Sequence, residues 1–461
     1  MSKLDRDDYL TGEFEIGNLT LHGNILINSG KKALLLCIQR KVDDVGYQAF
    51  PYCETIEGRL TNGAIVALFF CNCVKNTTYP FSHQDIVYRA EFLVFGTTEK
   101  NFDQIDCVVE NALLWSELTQ LNTSSLIEIK QQYCEGRTLH WFDSEVSFST
   151  VLKNELNTIP RHEVCTVEER LAFSIRFDEK KNISDFIKIR DNVMSMISFA
   201  IKDNVNITDQ FLVNTDDYEE YGKDYKEPHR YQLFTTEENT TILGTHQIEY
   251  NFKLSDLSDS ANVQETIKKL VPVINLYLSL YKYPHMPVEM VFLNLIQAVE
   301  TLHARFFYGN NKDDYVKSVH SRFDQHPQFD FIKDLLLSNG QDNEKCRQIY
   351  LISRINDLLL NDYDPLFWSY YRKGSTFAQQ VIDTRNYYTH YDEAKKEKAL
   401  SGDYLIEAIF VLRLLLELYI CRFLGIDLRE KTGHQLSNFK ISKPDYRATS
   451  DTTNDMKDDQ C

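Results

Sequence analysis

Residues 287–306 read PVEMVFLNLIQAVETLHARF. Val288, Phe292, Leu295, Val299, Leu302 and Phe306 follow one another at steps of three and four, the spacing that lines up one face of an α-helix. Pro287 suits the first turn of such a helix, where a missing N–H costs nothing. The same period extends both ways from this stretch. Upstream, Gln264–Leu280 is apolar at helical spacing and is broken by Pro284 and Pro287. Downstream, helices are expected over Phe329–Leu337, Glu344–Leu360, Thr376–Tyr391 and Asp403–Leu424, with Gly425 placed to cap the last. Such helices, joined by short loops, bury their apolar faces against one another, so this half predicts a helical bundle.

Before about Ala261 the dominant period is two. Phe14 and Ile16 alternate with polar neighbours, and Ala33–Ile38 is a short continuous apolar run. Ile56–Leu60 and Ala64–Phe70 flank Asn62-Gly63, a pair that favours a type I′ hairpin turn because both residues tolerate positive φ. Ile86–Phe95 reads as a long strand, and Leu171, Phe173, Ile175 and Phe177 alternate as on a half-buried one. Thr241–Leu254 resembles them, with Gly244 at a bulge position. One helix, Ile183–Asp203, interrupts the strands, and the acidic, tyrosine-rich Asp216–Glu227 reads as a solvated loop. The expected class is therefore α+β. A strand-rich, β-sandwich-like domain with an inserted helix fills 1–258, an all-α bundle 259–430, and a polar, loosely ordered tail 431–461.

At 461 residues the chain has room for two or three domains, and 43% hydrophobic residues are globular composition. Fifty basic against 68 acidic side chains leave a net charge of −18. That excludes a surface coated for nucleic acid or anionic lipid, and leaves room for a local cationic cleft. The first residues, MSKLDRDDYL, lack the apolar run of a secretory signal, so a cytoplasmic location is expected. Leu405–Ile426 is the most apolar long segment, but Glu407, Arg413, Glu417 and Arg422 within it argue for a buried helix and against a membrane span. Cys71 and Cys73 form a C-x-C pair without the second pair or histidine cluster of a structural zinc site. On a strand both would point to one face, and reduced thiols are expected. Neither a glycine-rich phosphate loop nor G-x-S-x-G or H-E-x-x-H occurs, and neither metal nor cofactor is expected.

Ile382–Asp392, IDTRNYYTHYD, is the segment with chemical potential. It places Arg385, Asn386 and His390 near the end of an apolar-periodic helix. Five residues on a straight helix turn through about 140° net, so Arg385 and His390 converge only at a helix end or bend, or with a second copy opposite. Cations at a helix C-terminus are also ordinary dipole partners. Glu300 and His303 share a face of the 287–306 helix, as a polar stripe or as cleft lining. Tyr391 and its neighbours Tyr387 and Tyr388 are packing residues or base-stacking platforms, and Arg372 and Lys373 a solvated turn or phosphate contacts.

The order R-N-x-x-x-H on the penultimate helix of an all-α C-terminal domain resembles the HEPN domains (higher eukaryotes and prokaryotes nucleotide-binding). FLNLIQAVETLHARFF at 292–307 is similar to their Q-A-hydrophobic-E-x-x-H/R stretch in ApeA-type bacterial abortive-infection proteins. GEFEIGNLTLHGNI, IEGRLTNGAIVALFFC and FDQIDCVVENALLW resemble the N-terminal domain of the same proteins, so that the likeness spans roughly 10–425. The resemblance implies an anti-phage effector carrying a metal-independent endoribonuclease. Arg385, His390 and Asn386 would be catalytic, Glu300, His303 and Tyr391 supporting, and Arg372 and Lys373 would contact RNA, either tRNA or mRNA. It further implies a homodimer or higher homo-oligomer, no membrane, and a phage-derived trigger sensed by the N-terminal domain. A non-catalytic HEPN module that binds a nucleotide or other anion is the alternative.

Overall fold

The computed structural model describes residues 9–28, 33–41, 52–79, 82–118, 136–159, 162–221, 225–236, 250–283, 285–324, 330–337, 348–360, 366–367, 377–391 and 393–438. They fall into two compact units: Met1–Met194 with Val205–Thr240, and Ser195–Asn204 with Thr241–Cys461.

The first unit opens with β1 (Tyr9–Ile16), β2 (Leu19–Asn28), β3 (Ala33–Lys41), β4 (Cys53–Leu60), β5 (Ile65–Thr78) and β6 (His83–Ala90). All their pairings are antiparallel, in the order β4-β1-β2-β3-β6-β5, and β5 pairs back onto β4. These six strands therefore form a closed barrel, which removes the exposed sheet edges of a sandwich. The expected strand-rich half is present, and its sandwich-like layout takes this closed form. The alternation that announces β1 fills the barrel: Leu10, Phe14 and Ile16 are buried with Ile25, Leu36, Ile56 and Leu68.

Beyond the barrel come β7 (Phe92–Phe95), β8 (Asn101–Val109), the short α1 (Leu113–Ser116), β9 (Arg137–Trp141), β10 (Ser144–Ile159), β11 (His162–Asn182), α2 (Ile183–Ile201), β12 (Ile207–Tyr221) and β13 (Tyr225–Thr235). They extend the sheet from β5 in the order β7-β13-β12-β8-β11-β10-β9.

Three local expectations change. The Asn62-Gly63 hairpin forms, but only Gly63 has positive φ. Its N–H donates to the Leu60 carbonyl at 2.9 Å, closing a type I turn with a left-handed glycine after it in place of type I′. The acidic stretch 216–227 is not a loop. Its described residues lie in β12 and β13, paired past an irregularity between Asn214 and Tyr218, because ladder hydrogen bonds tolerate exposed acidic side chains. Of Thr241–Leu254, residues 241–249 lie outside the described residues, and Leu254 starts a 3-10 turn, not a strand.

The second unit holds α3 (Ala261–Tyr277), α4 (Ser279–Lys282), α5 (Val288–Phe306), α6 (Lys312–Phe323), α7 (Asp330–Leu336), α8 (Leu351–Leu360), α9 (Phe377–His390), α10 (Glu393–Lys396), α11 (Asp403–Phe423) and α12 (Arg429–Asn438). Helix α5 is the hub, packing on α3, α8, α9 and α11. Helix α11 ends as expected: Gly425 has φ +85, and the Ile426 N–H returns to the Cys421 carbonyl at 2.8 Å. Its Glu407 and Glu417 are buried, and among the described residues no helix is long and apolar enough to cross a membrane. Where a tail is expected from 431, residues 431–438 are helical. Asp427 Oδ1 accepts the Arg429 N–H at 2.9 Å, starting α12, and Thr432 is buried while Lys431 donates to the Tyr250 carbonyl at 2.5 Å. Residues 439–461 lie outside the described residues.

Between α5, α6 and α8 sits a buried polar network. Asp357, fully buried, accepts from His303 Nε2 at 3.1 Å and Arg322 Nη2 at 2.9 Å. Arg354 Nη1 lies 3.1 Å from His303 Nδ1. A guanidinium only donates, so Nδ1 accepts and Nε2 carries the proton: His303 is neutral. Burial accordingly holds its pKa below the ordinary histidine value, against the opposing pull of Asp357.

Two outcomes follow. Phe14 pairs directly with Gly58, and a Cβ on Gly58 would lie 2.4 Å from the Phe14 ring. Gly58→Val is expected to cost about 1–3 kcal/mol by overpacking, read in urea denaturation. In the network, the depressed histidine means the unfolded chain binds the extra proton more readily. Stability is then full above the ordinary histidine pKa of about 6.5 and falls as pH drops through the folded value. His303→Gln should flatten that slope, whereas Asp357→Ala should cost about 3–5 kcal/mol at neutral pH by removing the carboxylate that Arg322 and the neutral His303 donate to.

Candidate functional site

The motif lies on α9, whose Phe377, Ala378, Val381, Asp383 and Thr384 are buried and which packs against α5 and α8. The helix runs unbroken through His390, so Arg385 and His390 leave its axis about 140° apart. Arg385 and Asn386 are both half-buried, while His390 is exposed in the last turn. Arg385 Nη1 donates to Asn386 Oδ1 at 3.1 Å, which draws the guanidinium round the helix. Asn386 and His390 are four residues apart and share one face. Asn386 is therefore the link between a cation rooted at the edge of the buried face and an imidazole on the open one.

The helix stops at Tyr391, which takes φ +50 and donates its N–H to the Tyr387 carbonyl at 2.6 Å. The left-handed region costs a non-glycine residue roughly 1 kcal/mol or more. It turns the chain back along α9. Lys395 Nζ, at the end of α10, donates to the buried Asp383 Oδ1 at 2.8 Å. The Leu400 N–H donates to Thr384 Oγ1 at 2.8 Å, and the Tyr388 hydroxyl to the Leu400 carbonyl at 3.3 Å. This strap engages α9 at Asp383, Thr384 and Tyr388. Burial raises the Tyr388 pKa, and nearby Glu289 raises it further, so the start of α5 lies beside the end of α9.

Several apolar side chains in these elements are exposed. They are Val288 and Met290 at the start of α5, Tyr391 after α9, and Tyr404 and Ile406 at the start of α11. Tyr391, 72% exposed, contacts Tyr387 edge-on and is open to a further partner.

Glu300 and His303 are placed elsewhere. Eleven residues, about 16 Å of helix, separate Glu300 from Glu289. Glu300 acts on Arg354, and His303 is inside the buried network. Arg372 and Lys373 lie outside the described residues. Sequence reading missed Arg322, Arg354 and Asp357. The available signal was Arg354 and Asp357, three apart inside the apolar run LISRINDLLL, on the face that must be buried. Among the described residues no group of three or more His, Cys, Asp or Glu side chains is arranged to hold a metal ion.

Comparison with known proteins adds the family. The family model described as Apea-like HEPN matches residues 293–430, which include α9. The model described as ApeA N-terminal domain 1 matches residues 10–264. No curated protein and no solved structure matches the chain. More than half of the length is matched by the N-terminal model and the motif helix falls inside the other, so the chain belongs to the ApeA family, an ApeA N-terminal domain joined to an Apea-like HEPN domain.

Proposed function

We propose that this chain is an anti-phage defence effector whose HEPN domain cleaves cellular RNA, tRNA or mRNA, without a metal ion. An ApeA-like HEPN domain points to a defence effector with a HEPN nuclease. The observation that carries the chemistry is the hydrogen bond from Arg385 to Asn386, one turn below the exposed His390.

RNA brings its own nucleophile, the 2′-hydroxyl beside the scissile phosphate. The His390 imidazole takes the 2′-OH proton as general base or protonates the leaving 5′-oxygen as general acid. Arg385 remains charged throughout, so it holds the phosphate and stabilises negative charge building on its non-bridging oxygens. Asn386 aims the guanidinium. The products are a 2′,3′-cyclic phosphate and a 5′-hydroxyl. One His390 cannot stand on both sides of the phosphorus, so a second copy supplies the other, and the apolar rim of Val288, Met290, Tyr391, Tyr404 and Ile406 is the surface that copy covers. The strand-rich unit senses the infection signal, a phage-derived trigger, and restrains the nuclease until it arrives. The −18 net charge supports low affinity for bulk RNA in the resting state.

Arg385→Ala and His390→Ala are each expected to lower RNA cleavage by about 100-fold or more, and Asn386→Ala by about 10-fold, with unchanged circular dichroism. Cleavage that survives in His390→Ala, or that EDTA abolishes, overturns the mechanism. Ligand binding without cleavage under every activating condition would favour the anion-binding alternative. Met290→Lys and Ile406→Lys are expected to weaken self-association in sedimentation velocity and to lower cleavage with it. A chain that sediments as a monomer yet cleaves at full rate removes the second copy.

A further inference from the structure

The C-x-C pair has no part in the nuclease chemistry, and the barrel gives it a setting of its own. Val66 and Leu68 face the barrel interior. Phe70 then takes φ +55, a kink that interrupts the alternation without moving the β4–β5 register, so Cys71 joins the interior and Cys73 packs against it. On the neighbouring strand Cys53 packs against the same core. Cys53 and Cys71 are direct register partners across β4–β5, the seam that closes the barrel. The Tyr88 hydroxyl lies 3.8 Å from Cys53 Sγ, which places it at the same cluster. None of the three thiols is disulfide-linked.

Geometry separates the possible pairings. Directly opposed antiparallel residues have Cα atoms about 4.5–5.5 Å apart, inside the range a disulfide spans. The diagonal from Cys53 to Cys73 is about 7–8 Å, and alternate residues on one strand are roughly 6.6–6.8 Å apart, at or beyond the limit. Access is also unequal. Cys53 is half-buried, whereas Cys71 is fully buried and its thiol is pushed up to about 12 by burial, with Cys53 beside it adding to the shift.

We propose that Cys53 and Cys71 form a peroxide-responsive dithiol whose disulfide locks the barrel seam. Hydrogen peroxide or an organic hydroperoxide meets Cys53 first. Its sulfur attacks the O–O bond, becoming a sulfenic acid and releasing water or an alcohol. The Cys71 sulfur then attacks the sulfenic sulfur, the S–S bond forms, and hydroxide leaves with the Cys71 proton as water. Two thiols lose two electrons and two protons, and the peroxide O–O bond accepts them. A bridge between opposed strand residues is strained, hence readily reduced, as a reversible switch requires.

The test uses the full chain and does not depend on RNA cleavage. Protein treated with hydrogen peroxide is digested with trypsin under non-reducing conditions, where cleavage after Arg59 separates Cys53 from Cys71. Fragmentation is expected to show a Cys53–Cys71 link that dithiothreitol reverses, Cys53→Ser abolishes and Cys73→Ser retains. The oxidised wild type should melt above the reduced form, and Cys53→Ser should show no difference. A Cys71–Cys73 bridge, a link between chains through Cys53, or sulfinic acid at Cys53 with Cys71 untouched overturns the proposal. Because Cys53 is half-buried, its serine variant keeps the test decisive even if replacements at Cys71 fail to fold.

Discussion

Asp357 and Glu417 are carboxylates taken out of water, and an unpaired carboxylate in that position costs several kcal/mol. Each is satisfied only if particular helices come together. Asp357 on α8 draws in His303 of α5 and Arg322 of α6. Glu417 on α11 accepts from Lys202 Nζ at 2.7 Å and the Tyr277 hydroxyl of α3 at 2.6 Å. With α5 packed on α3, α8 and α11, these two sites set the frame against which α9 lies. Replacing such ion pairs by apolar side chains is often neutral or stabilising, so their value here is in selecting one arrangement of helices, not in the net energy they add.

Within that frame the middle of α9 is tied down while its last turn stays open. Asp383, Thr384 and Tyr388 engage the strap that follows His390, while His390 itself is exposed. The hundred-degree step of the helix separates Arg385 from His390, and no bend repairs this. A hydrogen bond between adjacent side chains turns the long arginine stem toward Asn386, which shares a face with His390. The half-buried root of Arg385 then has a consequence: truncation removes packing as well as charge, so unchanged secondary structure is a necessary control on any loss of activity.

Periodicity made the elements legible, because burial of one face leaves a regular trace. Val288 to Phe306 became α5 and the Phe14–Ile16 alternation became β1. Closure of the barrel was illegible, since pairing of β5 with β4 and β6 at once depends on strand length and a kink at Phe70, a residue with no turn propensity. The motif residues were legible as residue types on a helix end, and Asn386 was legible as their neighbour. Where His303 goes was not, because its partner Asp357 lies 54 positions away and a lone histidine on an apolar face carries no mark of what it meets.

Helix α2 shows why pattern and compactness divide the chain differently. A boundary near residue 259 follows the change of apolar period. Packing instead assigns Ser195–Asn204 to the helical unit, after which Val205 returns to the strand-rich one. The short excursion is held by specific bonds: Ser195 Oγ to Asn275 Oδ1 at 2.8 Å, Asn204 Nδ2 to the Tyr281 carbonyl at 2.6 Å, and Lys202 to Glu417. Asn251 donates to the Phe199 carbonyl, and Phe199 packs edge-on against Tyr277. Withdrawing the segment would strip Lys202 from the buried Glu417 and leave it to the Tyr277 hydroxyl and to Arg413 Nε at 3.5 Å. A fragment beginning at 259 would lack Ser195, Phe199 and Lys202, the residues that Asn275, Tyr277 and Glu417 bond to or pack against.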